Sequence, residues 1–353
     1  MKLPKSLLEE IYSQLEKRQF PKVSLKKHSI DNIVKVKNGY ILGDKKIIKD
    51  SSNVAHIRSL TQLTWIASVA QKLIEEDKTC TLRDLYYMIV PEEILPKKIV
   101  EENKGQAETN KSVMELETYL ETPREEFNIF PEERSDIFGD LTIEYTSPIE
   151  YKGIQVNLTQ NPDGTVIGPR LAKSKLIKTS ADKILVIEKG AIFTRCLEEK
   201  TWKHFNSILI HTAGQPPRAT RIFIRRLHEE FNIPVYILTD GDPWGLAIAV
   251  TIKYGSISSA HIENMATVNA KWLGVWASDI IKYDLPSIKF DDKDVSRLNS
   301  LEKDPRCKED SLFSKEIMEF KKINKKCEIE AGSKYSLEWI VTEYLKEKLE
   351  NLH

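Results

Sequence analysis

The strongest constraint on the fold is a regular alternation of short apolar runs with helix-length segments, which begins near residue 183. The apolar runs lie at 184–187, 207–210 and 235–238, and helical patterns follow at 191–203, 216–231 and 245–253. Apolar strands separated by helices are typical of a parallel sheet that is covered on both faces. We therefore predict an α/β fold whose chemistry lies beyond the carboxyl ends of the strands.

Acidic residues follow two of these predicted strands. Glu188 comes directly after the run ILVI, and Asp240 and Asp242 follow the run VYIL within Thr-Asp-Gly-Asp-Pro. Oxygen ligands of this kind suit Mg²⁺, which usually takes one or two carboxylates and leaves room for phosphate oxygens. An EF-hand is excluded because Thr251 stands where the twelfth-position glutamate would be. We predict Glu188, Asp240 and Asp242 as Mg²⁺ ligands.

The preceding part of the chain has a helical pattern. A long helix is predicted over 54–75, and Thr81 is placed to cap a second helix over 82–89. An acidic, helical tract at 106–128 and an alternating strand at 139–145 follow. This order indicates a winged-helix (CAP-like) domain, whose second helix commonly faces DNA. Winged helices also bind proteins, so the pattern by itself leaves the partner open.

One tyrosine of the second helix lies off its apolar stripe. The stripe contains Leu82, Leu85, Tyr86 and Ile89. Tyr87 instead lies four residues after Arg83, on the same helical face. A tyrosine hydroxyl needs a nearby cation or base to act as a nucleophile, and Arg83 could stabilise charge that develops on phosphorus. The alternative is an ordinary surface tyrosine beside a surface arginine.

Basic residues also follow the second predicted strand. After the turn Gly-Gln-Pro-Pro at 214–217, Arg218, Arg221 and Arg225 recur at helical spacing. Such a cationic stripe is either a solvated helix face or a contact to the phosphate backbone of DNA. Its position beside the predicted metal site makes the DNA contact an equal candidate.

The charge total excludes a protein that coats nucleic acid by bulk charge, because 53 basic residues are balanced by 53 acidic ones. The acidic excess is concentrated at 101–150, which holds 4 basic and 14 acidic residues, so a basic working surface elsewhere remains compatible with neutrality. Four cysteines without a Cys-x-x-Cys pair indicate a reducing, cytoplasmic setting. No apolar run approaches the ~20 residues that span a bilayer, so we expect no membrane association.

Several motifs together resemble one enzyme family. The run TLRDLYY at 81–87 is similar to a catalytic-tyrosine motif in which the second tyrosine is the nucleophile, while IEKG at 187–190 and DGDP at 240–243 are similar to Toprim motifs. The runs at 214–221 and 331–335 fit the same pattern. In order and separation, these motifs resemble the A subunits of type IIB DNA topoisomerases (topoisomerase VI) and the related meiotic double-strand-break transesterases.

The resemblance implies an activity and a set of partners. It implies that Tyr87 forms a 5′-phosphotyrosyl link to double-stranded DNA, with Arg83 and Glu188 assisting and Mg²⁺ held by the Toprim carboxylates. It also implies a homodimer, joined by an ATPase B subunit in an A2B2 heterotetramer that passes one duplex through another. The chain has no G-x-x-x-x-G-K-S/T phosphate loop, so we expect ATP to bind to the B subunit.

The expected organisation has three parts. Residues 1–52 form an N-terminal extension that docks the B subunit, residues 53–150 form the winged-helix domain with the catalytic tyrosine, and residues 151–353 form the Toprim domain with C-terminal helical dimerisation elements. Two alternatives remain at this point. One is a transesterase that breaks DNA without strand passage, and the other is a non-catalytic winged-helix DNA-binding protein.

Overall fold

The computed structural model describes residues 22–25, 33–36, 39–42, 45–48, 54–92, 95–120, 122–131, 135–256 and 265–351. Most of the predicted B-subunit docking segment, 1–52, lies outside these ranges. Its described parts are four strands, β1 (Lys22–Leu25), β2 (Ile33–Val36), β3 (Gly39–Leu42) and β4 (Lys45–Ile48). β1 pairs with β4, and β2 pairs with β3. Within the described ranges, no helix is both long and apolar enough to cross a membrane.

The described chain forms two compact units, and from residue 54 onward the first contains residues 54–131 and the second begins at Ser135. The first unit is mainly helical. Its elements are α1 (Val54–Glu75), β5 (Cys80–Thr81), α2 (Leu82–Ile89), α3 (Lys97–Glu101), α4 (Gly105–Leu120) and β6 (Ile129–Phe130), with 3₁₀ turns at Val90–Glu92 and Arg124–Phe127. The predicted helix over 54–75 is confirmed.

The second helix of this unit begins where the sequence predicts. The amide of Asp84 donates to the Thr81 hydroxyl at 3.1 Å, and the Thr81 amide donates to the Asp84 carboxylate at 2.8 Å. This reciprocal capping box satisfies donors that a helix start otherwise leaves unpaired. Leu85 is fully buried in a core that also contains Ile66 of α1 and Leu116 of α4. The outward face of α2 is thereby fixed by the burial of its inward face.

The second unit contains the predicted α/β alternation. Its strands are β7 (Asp136–Phe138), β8 (Leu141–Glu144), β9 (Gln155–Asn157), β10 (Thr165–Val166), β11 (Lys175–Thr179), β12 (Lys183–Ile187), β13 (Ser207–His211), β14 (Val235–Leu238), β15 (Lys271–Gly274), β16 (Ile288–Lys289) and β17 (Lys325–Lys326). Its α-helices are α5 (Pro169–Ala172), α6 (Gly190–Glu198), α7 (Thr201–His204), α8 (Arg218–Phe231), α9 (Pro243–Tyr254), α10 (Ala277–Lys282), α11 (Asp292–Lys303), α12 (Pro305–Glu309), α13 (Ser311–Ile323) and α14 (Leu345–Glu350). Short 3₁₀ helices occur at Leu158–Gln160 and Ile329–Lys334, and a π-helical turn at Ile340–Tyr344 leads into α14.

The central sheet of this unit has six strands in the order β10-β7-β13-β12-β14-β15. The four strands from β13 to β15 are mutually parallel, whereas β7 and β10 add an antiparallel edge. All four residues of β14 are buried, as are the last four of β12. Apolar runs without alternation are expected for strands that are covered on both faces, so the predicted parallel α/β sheet is confirmed.

The strand predicted over 139–145 forms as β8, at Leu141–Glu144, and a separate strand, β7, ends just before it at Phe138. Gly139 has a φ of +145°, and a Cβ at this position would lie 3.0 Å from the Cα of Ile208. This close approach and unusual backbone separate β7, in the central sheet, from β8, which pairs with β9 and β11 in a three-stranded sheet. Both strands thus pair within the second unit, and the winged-helix arrangement predicted for 53–150 is not confirmed.

Candidate active site

Two carboxylates from neighbouring parallel strands meet at the carboxyl edge of the central sheet. Ile187 at the end of β12 lies opposite Leu238 at the end of β14, and the Glu188 amide donates to the Leu238 carbonyl at 3.0 Å. The Asp240 amide in turn donates to Oε2 of Glu188 at 2.9 Å. The sheet register itself therefore brings Glu188 and Asp240 together, as the sequence predicted.

The third predicted ligand, Asp242, is the N-cap of α9. Its Oδ1 accepts hydrogen bonds from the amides of Trp244 at 2.9 Å and Gly245 at 2.6 Å. A capping aspartate of this kind satisfies two amides at the start of the helix. The two bonds use one carboxylate oxygen and fix the orientation of the other.

Close backbone contact holds the loop between these two aspartates. A Cβ on Gly245 would overlap the Asp240 carbonyl oxygen, so any larger residue would push α9 away from the end of β14. Gly241 forms a reciprocal pair of main-chain hydrogen bonds with Cys327, at 2.9 and 3.0 Å. Contacts with α9 and with Cys327 therefore hold the loop in place.

A distant segment completes the acidic site. The Ile329 amide donates to Oδ1 of Asp240 at 2.9 Å, although the two residues are 89 positions apart. The flanking residues Glu328 and Glu330 bring two further carboxylates to within 3.5 and 3.9 Å of the Lys189 ammonium. Sequence analysis missed this contribution because only the tertiary fold brings the segment to the strand end.

Lys189 is a cation of the site that contacts Asp240 directly. Its Nζ lies 3.2 Å from Oδ2 of Asp240. Burial would lower the pKa of Lys189, but Asp240 and the two flanking glutamates outweigh burial and raise it. The residue is therefore a permanent positive charge that balances part of the carboxylate charge.

The three predicted ligands resist ionisation. Burial raises the pKa of Glu188 to about 7, and the neighbouring charge of Asp240 adds to the effect. Burial also raises the pKa of Asp240 to about 6 and raises that of Asp242, in each case against hydrogen bonds that favour the charged form. Partly buried like charges of this kind are relieved when a cation binds between them.

The donor set fits a hard cation that is shared with a substrate. In the parts of the chain that the structure describes, no group of three or more His, Cys, Asp or Glu side chains is already arranged to hold a metal ion. Mg²⁺ does not require such a cage, because it is usually bound by one or two carboxylates together with substrate phosphates and water. Glu188, Asp240 and Asp242 supply oxygen ligands only, which matches this preference.

The predicted nucleophile lies on the exposed face of α2, in the first unit. The Tyr87 side chain is 63% exposed, whereas Leu85 and Ile89 are fully buried. Arg83, one turn earlier, is also exposed. The ring of Tyr86 lies 5.2 Å from that of Tyr87 but is partly buried. The predicted division between a packed first tyrosine and an accessible second tyrosine is confirmed.

The predicted arginine stripe is only partly accessible. Arg221 and Arg225 are 5% and 4% exposed, and Arg225 donates through Nε and Nη2 to Oε1 of Glu229 at 2.9 and 2.7 Å. These two residues therefore do not form a solvated helix face, because α8 is packed around most of its circumference, and their predicted contact with DNA stays a prediction. Arg218, in the first turn of α8, is partly exposed, and its predicted DNA contact stays a prediction.

Two family models match the chain. Residues 183–349 match the model for the Toprim domain that the topoisomerase 6 A subunit shares with Spo11. Residues 58–129 match the model described as Type IIB DNA topoisomerase. The first match contains all three acidic ligand candidates, and the second contains the exposed tyrosine.

Curated relatives match over nearly the whole chain. A protein of Methanothermobacter thermautotrophicus, named as the A subunit of type 2 DNA topoisomerase 6, is 36% identical over 98% of this chain and 96% of its own length. Proteins of the same name from Archaeoglobus fulgidus and Halobacterium salinarum are each 31% identical over 98% of this chain, and over 95% and 94% of their own lengths.

Proposed function

This chain belongs to the family of topoisomerase 6 A subunits, and on that premise we propose that it is the DNA-cleaving A subunit of a type IIB topoisomerase. The enzyme is an isomerase that breaks both strands of a duplex transiently through a tyrosyl link. With a B subunit that binds and hydrolyses ATP, it passes a second duplex through the break and relaxes supercoiled DNA.

One observation carries the proposal. Glu188 and Asp240, joined through a main-chain hydrogen bond at the sheet edge, lie beside a helix capped by Asp242, and all three carboxyl groups have raised pKa values. Strongly perturbed carboxyl groups at the carboxyl edge of a parallel sheet are a frequent mark of a functional site. The exposed tyrosine of α2 supplies the nucleophile that such a site needs for transesterification.

In the proposed reaction, the hydroxyl oxygen of Tyr87 forms a bond to phosphorus and the bond from phosphorus to the 3′-oxygen breaks. The tyrosine loses one proton and the 3′-oxygen gains one, so the step balances without any other reactant. Glu188 would pass the proton to and from the 3′-oxygen. Arg83 stabilises the charge on the phosphoryl oxygens. The reverse reaction rejoins the strand.

Glu188, Asp240 and Asp242 would hold Mg²⁺, which supplies Lewis-acid stabilisation of the phosphoryl oxygens and of the leaving oxygen when it is bound. Lys189 keeps part of the carboxylate charge neutral. Arg218 would contact the phosphate backbone next to the cut. ATP is assigned to the B subunit, since this chain lacks a phosphate-loop motif.

The finer organisation is part of the same proposal. The helices of the first unit would act as the winged-helix DNA module within 53–150, and the Toprim domain with its C-terminal helices would form the dimerisation region within 151–353. Tyr87 of one protomer would act with the acidic site of a second protomer, and two B subunits would complete an A2B2 assembly docked through 1–52. The reducing cytoplasm would be the compartment, in keeping with four free, buried cysteines.

The test is a relaxation assay on the chain co-purified with a candidate B subunit. We expect relaxation of supercoiled DNA that depends on ATP and Mg²⁺, and a protein–DNA adduct linked through Tyr87. The Tyr87→Phe complex should bind DNA but form no adduct. Persistent adduct in that variant would overturn the assignment of the nucleophile. Adduct without relaxation in the complete complex would favour a break-forming transesterase instead.

A further inference from the structure

An exposed tryptophan follows the acidic loop in the chain. Trp244 is the second residue of α9, and its amide donates to Oδ1 of Asp242 at 2.9 Å. Its side chain is nevertheless 47% exposed. The same backbone segment therefore orients the Asp242 carboxylate, a candidate metal ligand, and carries the large aromatic side chain of Trp244.

The indole of Trp244 is immobilised although it is exposed. Its Nε1 donates to Oδ1 of Asp294 at 3.2 Å, and the guanidinium of Arg297 lies over the ring at 5.1 Å from its centroid. Asp294 is itself 1% exposed, and its second oxygen is 2.5 Å from the Lys326 ammonium. The ring is therefore held in one orientation by α11 and by the segment that precedes Cys327.

These contacts determine which atoms of Trp244 remain exposed. The single polar atom of the indole is already bonded to Asp294, so the exposed part of Trp244 is aromatic carbon. Single exposed apolar side chains are common on proteins and need no explanation. An aromatic ring that is held by Asp294 and Arg297 and follows a candidate ligand carboxylate by two residues is different, because its position relative to the acidic site is fixed.

From this geometry we infer that Trp244 is a DNA-contact residue that packs against the sugar or base next to the phosphate held at the acidic site. The inference rests on the proposed function, since it requires DNA at this site. Aromatic side chains bind nucleotides by stacking on bases or by wedging between them, and both contacts tolerate many sequences. A rigid ring would set which base step lies at the cut, and so would bias the positions of cleavage.

The binding arm of the experiment uses the complete complex with the B subunit, in Mg²⁺, on a Tyr87→Phe background that cannot cleave. The affinity for a defined duplex is measured at one salt concentration. We expect Trp244→Ala to weaken binding by about 5- to 100-fold, the usual effect of losing one aromatic stack. Trp244→Phe, which keeps a ring but loses the bond to Asp294, should weaken binding less. Tyr151→Ala, which removes a ring that is 50% exposed elsewhere in the second unit, is the matched control and should bind as the parent does.

The cleavage arm uses the same substitutions with Tyr87 intact and maps the positions of the covalent adducts. We expect Trp244→Ala to redistribute the cut sites while Mg²⁺ affinity stays at the parent value, and to lower thermal stability as Trp244→Phe does, because both variants lose the bond to Asp294. Unchanged affinity and an unchanged cleavage map would overturn the inference. Loss of self-association in Trp244→Ala, with DNA affinity per dimer unchanged, would also overturn it and assign the ring to a protein interface. If the wild-type complex makes no adduct, the proposed function fails in this arm, while the binding arm still decides the role of Trp244.

Discussion

The main-chain amide of Asp240 donates a hydrogen bond to the carboxylate of Glu188 at 2.9 Å. The bond links the ends of two neighbouring parallel strands, so the distance between the two acidic residues depends on the sheet rather than on a flexible loop. It also stabilises the charged form of Glu188, although burial still raises the pKa of that group to about 7. Changes at this acidic edge should therefore affect both stability and metal binding.

Removal of metal should make the stability of the protein depend on Glu188 and pH. The carboxyl group binds its proton more tightly in the folded chain than in the unfolded chain, because its pKa rises from 4.5 to about 7. The unfolded state therefore loses the proton first as pH rises from about 4.5 to 7, and the folded state is progressively destabilised, by about 3 kcal/mol at most. We expect the free energy of unfolding of the metal-free wild type to fall relative to Glu188→Gln over this range, as measured by urea titration in chelator. A constant difference between the two proteins across this range would contradict the prediction.

Asp242 should separate helix capping from metal binding. Asn caps helices about as well as Asp, whereas Ala at an N-cap costs about 1 kcal/mol. We expect Asp242→Asn to lower the free energy of unfolding by less than about 0.5 kcal/mol, and Asp242→Ala to lower it by about 1 kcal/mol. Both variants should lose Mg²⁺-dependent cleavage, because neither retains the carboxylate. Full cleavage by Asp242→Asn would show that Asp242 acts only as a cap.

Lys189 should compete with the metal ion. Its ammonium lies 3.2 Å from Asp240, and a cation at this distance opposes a second cation on the same carboxylate. We expect Lys189→Met to tighten Mg²⁺ binding by about tenfold, as measured by calorimetric titration. A tenfold change corresponds to a charge interaction that shifts a pKa by about one unit. Lys175→Met, which removes a surface pair with Glu144, is the control and should change nothing. Weaker Mg²⁺ binding by Lys189→Met would mean that the lysine positions the ligands instead.

Substitutions of the two adjacent tyrosines should have very different effects on adduct formation. Tyr87 is exposed, whereas Tyr86 is partly buried beside Gly105. We expect Tyr86→Phe to form adduct at close to the wild-type rate and to change the free energy of unfolding by less than about 0.5 kcal/mol. The measurement is a DNA-adduct assay run beside Tyr87→Phe. Complete loss of adduct in a well-folded Tyr86→Phe protein would place the chemistry on the first tyrosine.

The buried ion pair of α14 should carry much of its docking energy. Lys348 Nζ lies 2.7 Å from Oδ1 of Asp279, and both side chains are about 5% exposed. Removing one partner of such a pair leaves an uncompensated buried charge and costs about 3–5 kcal/mol. We expect Lys348→Met to be destabilised by this amount in urea unfolding, and Lys348→Met with Asp279→Asn to recover part of the loss.

A nearby exposed pair supplies the control for that experiment. Lys282 and Glu347 form an ion pair whose side chains are 54% and 39% exposed. Surface pairs of this kind contribute about 0–1 kcal/mol, so Lys282→Met should be close to neutral. If Lys348→Met were equally neutral, the buried pair would not hold the C-terminal helix in place.

The sequence predicted the parts of the site that depend on local periodicity. The exposure of Tyr87 follows from the apolar stripe of α2, and the meeting of Glu188 with Asp240 follows from the rule that parallel strands end at one edge. The burial of Arg221 and Arg225 could not be predicted in the same way. A stripe of charge on a helix specifies one face, but it does not say whether another element covers that face.

Contacts between distant segments could not be predicted from the sequence either. Lys189 adjoins a predicted ligand, yet its partners Glu328 and Glu330 lie about 140 residues later and reach it only because Cys327 pairs with Gly241. The break at Gly139 between β7 and β8 is similar, since its cause is the close approach of Ile208. These features depend on tertiary packing, which local propensity does not encode.

The hydrogen bond from Ile329 to Asp240 has a consequence for biosynthesis. Chains are made from the N-terminus, and domains generally fold as units as they emerge. The strand bearing Glu188 and the loop bearing Asp240 therefore leave the ribosome well before the segment that fixes Asp240. The nascent chain cannot form this hydrogen bond until that segment has also been translated, so the order of synthesis delays completion of the acidic site until the second unit is nearly whole.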